Sequence, residues 1–316
     1  MIIFAAQIIG GLILLFLGGE SLVRGAVSVA EKLRVPALIV GLTIVAYGTS
    51  MPELVVSVKA ATNDLADIAL GNIIGSNISN ILLVLGVSAL VFPIRTDDIL
   101  LKREGPLLIG ITLLLLAFAS TSTISALDGG ILLVLTFVYT GYIIYAAKVS
   151  RSALPASQMQ EIQEQMGQTY SWLKSLIFLA AGFVLLIYGG DLLVDGASSL
   201  ASAAGISEAV IAVTIVALGT SAPELVTSLI AAYHKHSDVA LGNVIGSCLF
   251  NIMGIMGVAP LFQQIDVNPK FMSFDFPLLL VVTLLLVIAM LTHKQISRRE
   301  GAFFAVMYLI YIALQF

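Results

Sequence analysis

The 316-residue chain has one cysteine, Cys248, one tryptophan and three histidines. A single thiol has no intrachain partner, so a disulfide-stapled secreted scaffold is excluded. Charge is scarce too: Asp, Glu, Lys and Arg make up 11% of the residues, against about 25% in a soluble domain. The net charge is −4 and no run of Lys or Arg occurs, which argues against a nucleic-acid partner. Apolar side chains fill the chain instead, 59% of it before 27 glycines are counted, with mean hydropathy +1.05. So few charges cannot cover that much apolar surface in water, and a disordered chain is excluded by the same hydrophobicity. This composition requires an all-α polytopic membrane protein whose first partner is the lipid bilayer.

A helix needs about 20 mostly apolar residues to cross the hydrocarbon core. Ten such runs are present, at 2–22, 36–59, 68–92, 106–120, 126–147, 174–195, 206–232, 239–262, 274–292 and 300–316. The first has no basic segment before it and continues too long for a cleaved signal, so it reads as a span. With the N-terminus outside, 13 of the 15 cations fall in alternate loops, leaving only Lys59 and Lys270 in the others. Cations mark the cytoplasmic side, which places both termini outside. The one sizeable hydrophilic stretch, 148–173, contains Pro155 and a Gln/Glu-rich run, and reads as a cytoplasmic linker.

Three blocks recur at one offset of 171 residues. Gly18-Gly19-Glu20 through Gly25-Ala26 returns as Gly189-Gly190-Asp191 through Gly196-Ala197. Thr43 to Ala46, with Gly48-Thr49-Ser50-x-Pro52-Glu53-Leu54-Val55, returns as Thr214 to Ala217 with Gly219-Thr220-Ser221-x-Pro223-Glu224-Leu225-Val226. Gly71-Asn72-x-Ile74-Gly75-Ser76-x-x-x-Asn80 returns as Gly242-Asn243-x-Ile245-Gly246-Ser247-x-x-x-Asn251. Chance does not hold one register across three blocks. Ten spans divide into five per copy, and five is odd, so the second copy enters from the opposite side. The expected architecture is two inverted five-helix repeats, 1–147 and 174–316, joined by 148–173. Such folds place a ligand site near the midplane where the repeats meet.

The repeated residues carry oxygen. On a helix Thr49, Ser50, Glu53 and Ser57 fall within roughly 100° of each other, and Thr220, Ser221, Glu224 and Ser228 form the twin stripe. Asn72, Ser76 and Asn80 share a face, as do Asn243, Ser247 and Asn251. Glu53 and Glu224 are the only carboxylates deep in their spans, where an ionisable group costs at least ~2.5–3.5 kcal/mol. No Lys or Arg lies at that depth to pair with them, so a mobile cation is the missing counter-charge. Pro52 and Pro223 disturb the carbonyls of Gly48 and Gly219, and free carbonyls at that depth line cavities. Carboxylate, hydroxyl, amide and carbonyl oxygens together suit Ca²⁺. No histidine or cysteine falls in either glutamate block, which disfavours Zn²⁺ or Cu⁺. Other features have plainer readings: Gly71/Gly75 and Gly242/Gly246 as close helix packing, Glu20 and Asp191 as interfacial, His234, His236 and His293 as solvated loop residues, and Cys248 as apolar filler.

These motifs resemble the two alpha-repeats of the calcium/cation antiporter superfamily, including the prokaryotic sodium/calcium exchangers, over the whole chain. The resemblance implies a Ca²⁺ exporter driven by an inward cation gradient. It puts a Ca²⁺ site at Glu53 and Glu224, with backbone carbonyls of Thr49 and Thr220. It puts Na⁺ sites at Ser50, Ser76, Asn80, Ser221, Ser247 and Asn251, with carbonyls of Ala46 and Ala217. Some relatives carry aspartate where this chain has Asn251, so only two carboxylates remain here, and the counter-ion is Na⁺ or H⁺. No cofactor is implied, a monomer in a prokaryotic plasma membrane is expected, and the rivals are a cation channel and an intramembrane enzyme.

Overall fold

A computed structural model describes residues 2–153, 170–203 and 217–314. The described residues are almost wholly helical. Helix α1 (Ile2–Leu33) is followed by α2 (Ala37–Thr49), α3 (Met51–Thr62), α4 (Ala66–Val91), α5 (Gly105–Ala119) and α6 (Ala126–Ala153). The second half contains α7 (Trp172–Ala203), α8 (Ala217–Thr220), α9 (Ala222–Tyr233), α10 (Ser237–Phe262), α11 (Phe271–Leu291) and α12 (Arg298–Leu314). Among the described residues six helices are long and apolar enough to cross a membrane, or seven if α2 and α3, bent by 45°, form one span. Of the expected runs, 106–120 and 300–316 become helices of 15 and 17 residues, and 206–216 lies outside the described residues, as does most of the 148–173 linker.

Helices α1 and α7 pack antiparallel along their lengths, and glycine makes this possible. Gly11, Gly18 and Gly25 recur every seven residues, as do Gly182, Gly189 and Gly196 at the offset of 171. A Cβ at Gly11 would lie 2.7 Å from Leu193 N, and one at Gly182 would lie 2.7 Å from Leu22 N. Gly18 and Gly189 face Leu186 N and Leu15 N at 2.8 Å in the same reciprocal way. Small residues allow such close backbone approach. Gly18→Leu should therefore force the pair apart and destabilise the protein by about 1–3 kcal/mol, the ordinary cost of overpacking. Thermal unfolding in detergent would register this as a lowered midpoint.

Four two-residue strands repeat the exchange. β1 (Ile94–Arg95) pairs antiparallel with β4 (Gln295–Ile296), and β2 (Thr123–Ile124) pairs antiparallel with β3 (Ile265–Asp266). Each ribbon takes one strand from each half of the chain. Inside this frame α4 and α10 are the most buried of the long helices, while α1, α6 and α7 present much of their apolar surface outward. Both central helices contain a π turn, Asn80–Leu85 in α4 and Phe250–Ile255 in α10. π turns inside α-helices are frequent at functional sites. Here each one contains a repeated asparagine, Asn80 or Asn251.

Candidate cation site

The polypeptide breaks at two equivalent serines. Ser50 (φ −87°, ψ 11°) separates α2 from α3, and Ser221 (φ −85°, ψ 2°) separates α8 from α9. Pro52 and Pro223 follow in the first turn of the resumed helix, where a missing N–H costs nothing. Glu53 and Glu224 occupy the same first turns, at the positive end of each helix. Both glutamates are buried, at 1% and 0% exposure.

Contacts between the halves draw these breaks together. The Ser50 hydroxyl donates to Glu224 Oε1 at 2.8 Å, and the Thr49 hydroxyl to Asn243 Oδ1 at 3.2 Å. Ser247 Oγ reaches the Ala46 carbonyl at 3.4 Å. Two asparagines then brace the glutamate helices in matching fashion. Asn72 Nδ2 donates to Ser57 Oγ at 2.9 Å and the Glu53 carbonyl at 3.2 Å, while Asn243 Nδ2 donates to Ser228 Oγ at 2.9 Å and the Glu224 carbonyl at 3.4 Å.

Around this centre Thr49, Ser50, Ser221, Ser76, Ser247, Asn80 and Asn251 are all buried, Ala46 is buried beside them, and Thr220 is half-buried. Ala217 opens α8, and the rest of its repeat block, Thr214 to Val216, lies outside the described residues. Among the described residues, both carboxylate oxygens of Glu53, Glu224 Oε2, Ser221 Oγ and the amide atoms of Asn80 and Asn251 have no hydrogen-bond partner. A buried polar atom left unpaired is costly, and six of these eight atoms are oxygens. That donor set fits a hard cation as substrate. Among the described residues no group of three or more His, Cys, Asp and Glu could hold a metal, so neutral oxygens must supply most of the coordination.

The profile of the sodium/calcium exchanger protein family matches residues 3–145 and 174–316. The chain belongs to the sodium/calcium exchanger family. This exchanger is therefore a transporter rather than an enzyme, and the ions of its family are Na⁺ and Ca²⁺. The sodium/calcium exchanger MaX1 of Methanosarcina acetivorans is 31% identical over 97% of this chain and 96% of its own length. Inner membrane protein YrbG of Escherichia coli is 32% identical over 90% and 88%. Among solved structures, the sodium-calcium exchanger NCX_Mj soaked with zero Na⁺ and Ca²⁺ superposes with a TM-score of 0.85 at 32% identity, covering 100% of this exchanger and 99% of that chain.

Several functional features escaped the sequence reading. Asn72 and Asn243 share the polar stripes, yet their bracing bonds follow only from the packing of α3 on α4 and α9 on α10. Two buried acids, Glu104 and Asp275, were passed over altogether. Their signal was present: Glu104-Gly105-Pro106 and Asp275-Phe276-Pro277 repeat an acid-x-Pro block at the same offset of 171. His234 is bound rather than simply solvated, with Nε2 2.8 Å from Glu20 Oε2, and Glu20 also pairs with Arg24 at 2.6 Å. Close packing holds at Gly242 and Gly246, whose added Cβ atoms would lie 2.9 Å from Leu38 O and 2.6 Å from Leu42 O. At Gly75 nothing among the described residues comes within 4 Å.

Proposed function

We propose that this exchanger exports Ca²⁺ in exchange for Na⁺ by alternating access, both ions competing for one oxygen-lined site centred on Glu53 and Glu224. The observation that carries this reading is the bond from Ser50 of one half to Glu224 of the other, which joins two copies of one motif into a single buried cluster. Glu53, Glu224 and the carbonyls of Thr49 and Thr220 take Ca²⁺. Ser50, Ser76, Asn80, Ser221, Ser247 and Asn251, with the carbonyls of Ala46 and Ala217, take Na⁺. One Ca²⁺ neutralises two ionised glutamates, as do two Na⁺ or two protons.

Asymmetry between the halves supports alternating access. A cavity of about 540 Å³ reaches Asn72, Ser76 and Thr220 from the face where the Asp64–Asp67 and Asp266–Lys270 loops lie. Asn72 and Thr220 are half-buried there, whereas their counterparts Asn243 and Thr49 are buried. Related halves in unlike environments are what a two-state exchanger needs, since exchanging the environments moves the opening to the other face. In this reading residues 1–147 and 174–316 are inverted five-span repeats and 148–173 is a cytoplasmic link. Both termini lie outside a prokaryotic cytoplasmic membrane, and the protein works as a monomer.

The test is ⁴⁵Ca²⁺ uptake into proteoliposomes under an outward Na⁺ gradient or an outward H⁺ gradient. Uptake driven by internal Na⁺ is expected. Uptake driven only by protons would overturn the Na⁺ reading and make both glutamates proton carriers, and conductance without any counter-ion would indicate a channel. If three Na⁺ exchange for one Ca²⁺, each cycle moves one net charge, worth ~2.3 kcal/mol per 100 mV, so a negative interior would speed export.

A further inference from the structure

The cavity that reaches the candidate site has a repeat-related counterpart, and an aromatic side chain lies across it. The lining residues Ile68, Gly71, Gly75, Ser79 and Tyr311 match Val239, Gly242, Gly246, Phe250 and Thr140 at the offset of 171. Those counterparts mark a second path to the site, from the face of Lys235 and Arg95, which match Asp64 and Asp266. That path is shut in this conformation. Ile68 is 51% exposed whereas Val239 is 0% exposed. Helix α2 lies along the path, since Cβ atoms added at Gly242 and Gly246 would meet the carbonyls of Leu38 and Leu42.

Tyr47, two residues before Thr49 on α2, completes the closure. Its ring stacks on Phe250 with centroids 4.5 Å apart and planes inclined by 24°. Its hydroxyl lies 2.7 Å from Thr140 Oγ1. The Thr140 hydroxyl donates to the Thr136 carbonyl at 2.7 Å, so Tyr47 is the donor to Thr140. Phe250 and Thr140 are the counterparts of Ser79 and Tyr311, which line the open cavity. One side chain thus bridges two walls that stand apart at the other face. The other half does not repeat this bridge: Leu218 matches Tyr47 and Ser79 matches Phe250, so no aromatic stack can form there. Aromatic pairs and buried hydrogen bonds favour the state that contains them, and a contact made in one state alone shifts the equilibrium toward it.

We propose that Tyr47 is the gate residue of the closed path, a positioning residue that holds α2 across it and must leave Phe250 and Thr140 before the site can face the Lys235/Arg95 side. This rests on the alternating-access reading above. The experiment places a reporter thiol in each path of the purified full-length protein, Ser79→Cys in the open one and Val239→Cys in the closed one. It measures the rate of modification by 2-(trimethylammonium)ethyl methanethiosulfonate. Tyr47→Ala, which removes a stack and a hydrogen bond, should speed the reaction at Val239→Cys by at least about 10-fold and leave Ser79→Cys no faster. Tyr47→Phe, which keeps the ring, should give a smaller rise. An unchanged rate at Val239→Cys would overturn the proposal. So would a rise at both reporters, which is the mark of a loosened fold rather than an opened gate.

The native thiol, Cys248, is buried, and each protein without a reporter supplies its background rate. Should Tyr47→Ala not fold, Phe250→Ser copies the residue at position 79 and removes the stack from its other side. It should produce the same one-sided rise at Val239→Cys, and a rate no faster than with Phe250 in place would overturn the gate. Failure of the exchange reading itself looks different: protein with Tyr47 intact would then take up Ca²⁺ without any counter-ion, whatever the reporters show.

Discussion

Replacing Glu53 or Glu224 with glutamine will abolish Ca²⁺ transport, by at least about 100-fold, or ~2.8 kcal/mol on the scale where 1.4 kcal/mol is tenfold. Glutamine keeps the volume and one oxygen but removes the charge that compensates a divalent ion in a buried site. The two variants should differ in detail. Glu224 already accepts a hydrogen bond from Ser50, whereas neither oxygen of Glu53 has a partner among the described residues. Glu53→Gln should therefore remove Ca²⁺ binding with little change in the fold, and Glu224→Gln should also loosen the Ser50 link between the halves. Calcium titration of the purified protein, paired with its thermal midpoint, separates these effects. Robust transport by both variants would remove the glutamates from the site.

Gly246→Leu should also eliminate transport, through packing rather than charge. A Cβ at Gly246 would lie 2.6 Å from Leu42 O and 2.7 Å from Ala46 Cβ. Neither contact is a flexible side-chain tip that could swing aside. A leucine must push α2 away from α10, and α2 carries Thr49 and leads into Ser50. The bonds from Thr49 to Asn243 and from Ser50 to Glu224 would then be broken together, at about 1–3 kcal/mol each when a buried partner is stranded. Gly75→Leu, at the matching position with nothing among the described residues within 4 Å, projects into the cavity and should leave the stability of this conformation nearly unchanged. The thermal midpoints of the two variants measure the contrast, and equal losses of stability would contradict it.

Much of this was legible from residues alone because duplication turns weak signals into strong ones. A single Gly-Thr-Ser-x-Pro-Glu is a kinked polar helix; two at one offset mark facing helices with oxygen toward each other. The two buried glutamates follow directly from that pattern, whereas the breaks at Ser50 and Ser221 belong to the fold. Span counting was less secure. Hydropathy cannot show that a run is divided at Ser50, nor that a π turn, Leu100–Glu104, precedes α5. Glu104 and Asp275 were missed for a related reason. They stand at the ends of apolar runs, where an acid looks interfacial until packing shows it covered. The asymmetry between the halves is invisible in sequence by nature, since it belongs to one conformation rather than to the chain.

The crossed ribbons make each half dependent on the other. Each ribbon is made of one strand from either half, the glycine seam needs α1 against α7, and the buried bond from Ser50 to Glu224 needs both halves. A half-length polypeptide would own one edge of everything and the whole of nothing. On the inverted-repeat reading proposed above, it would become complete only on meeting a second copy inserted upside down. In one chain the two halves are held together by the backbone, so matching positions are free to differ, as Asp275 and Glu104 do.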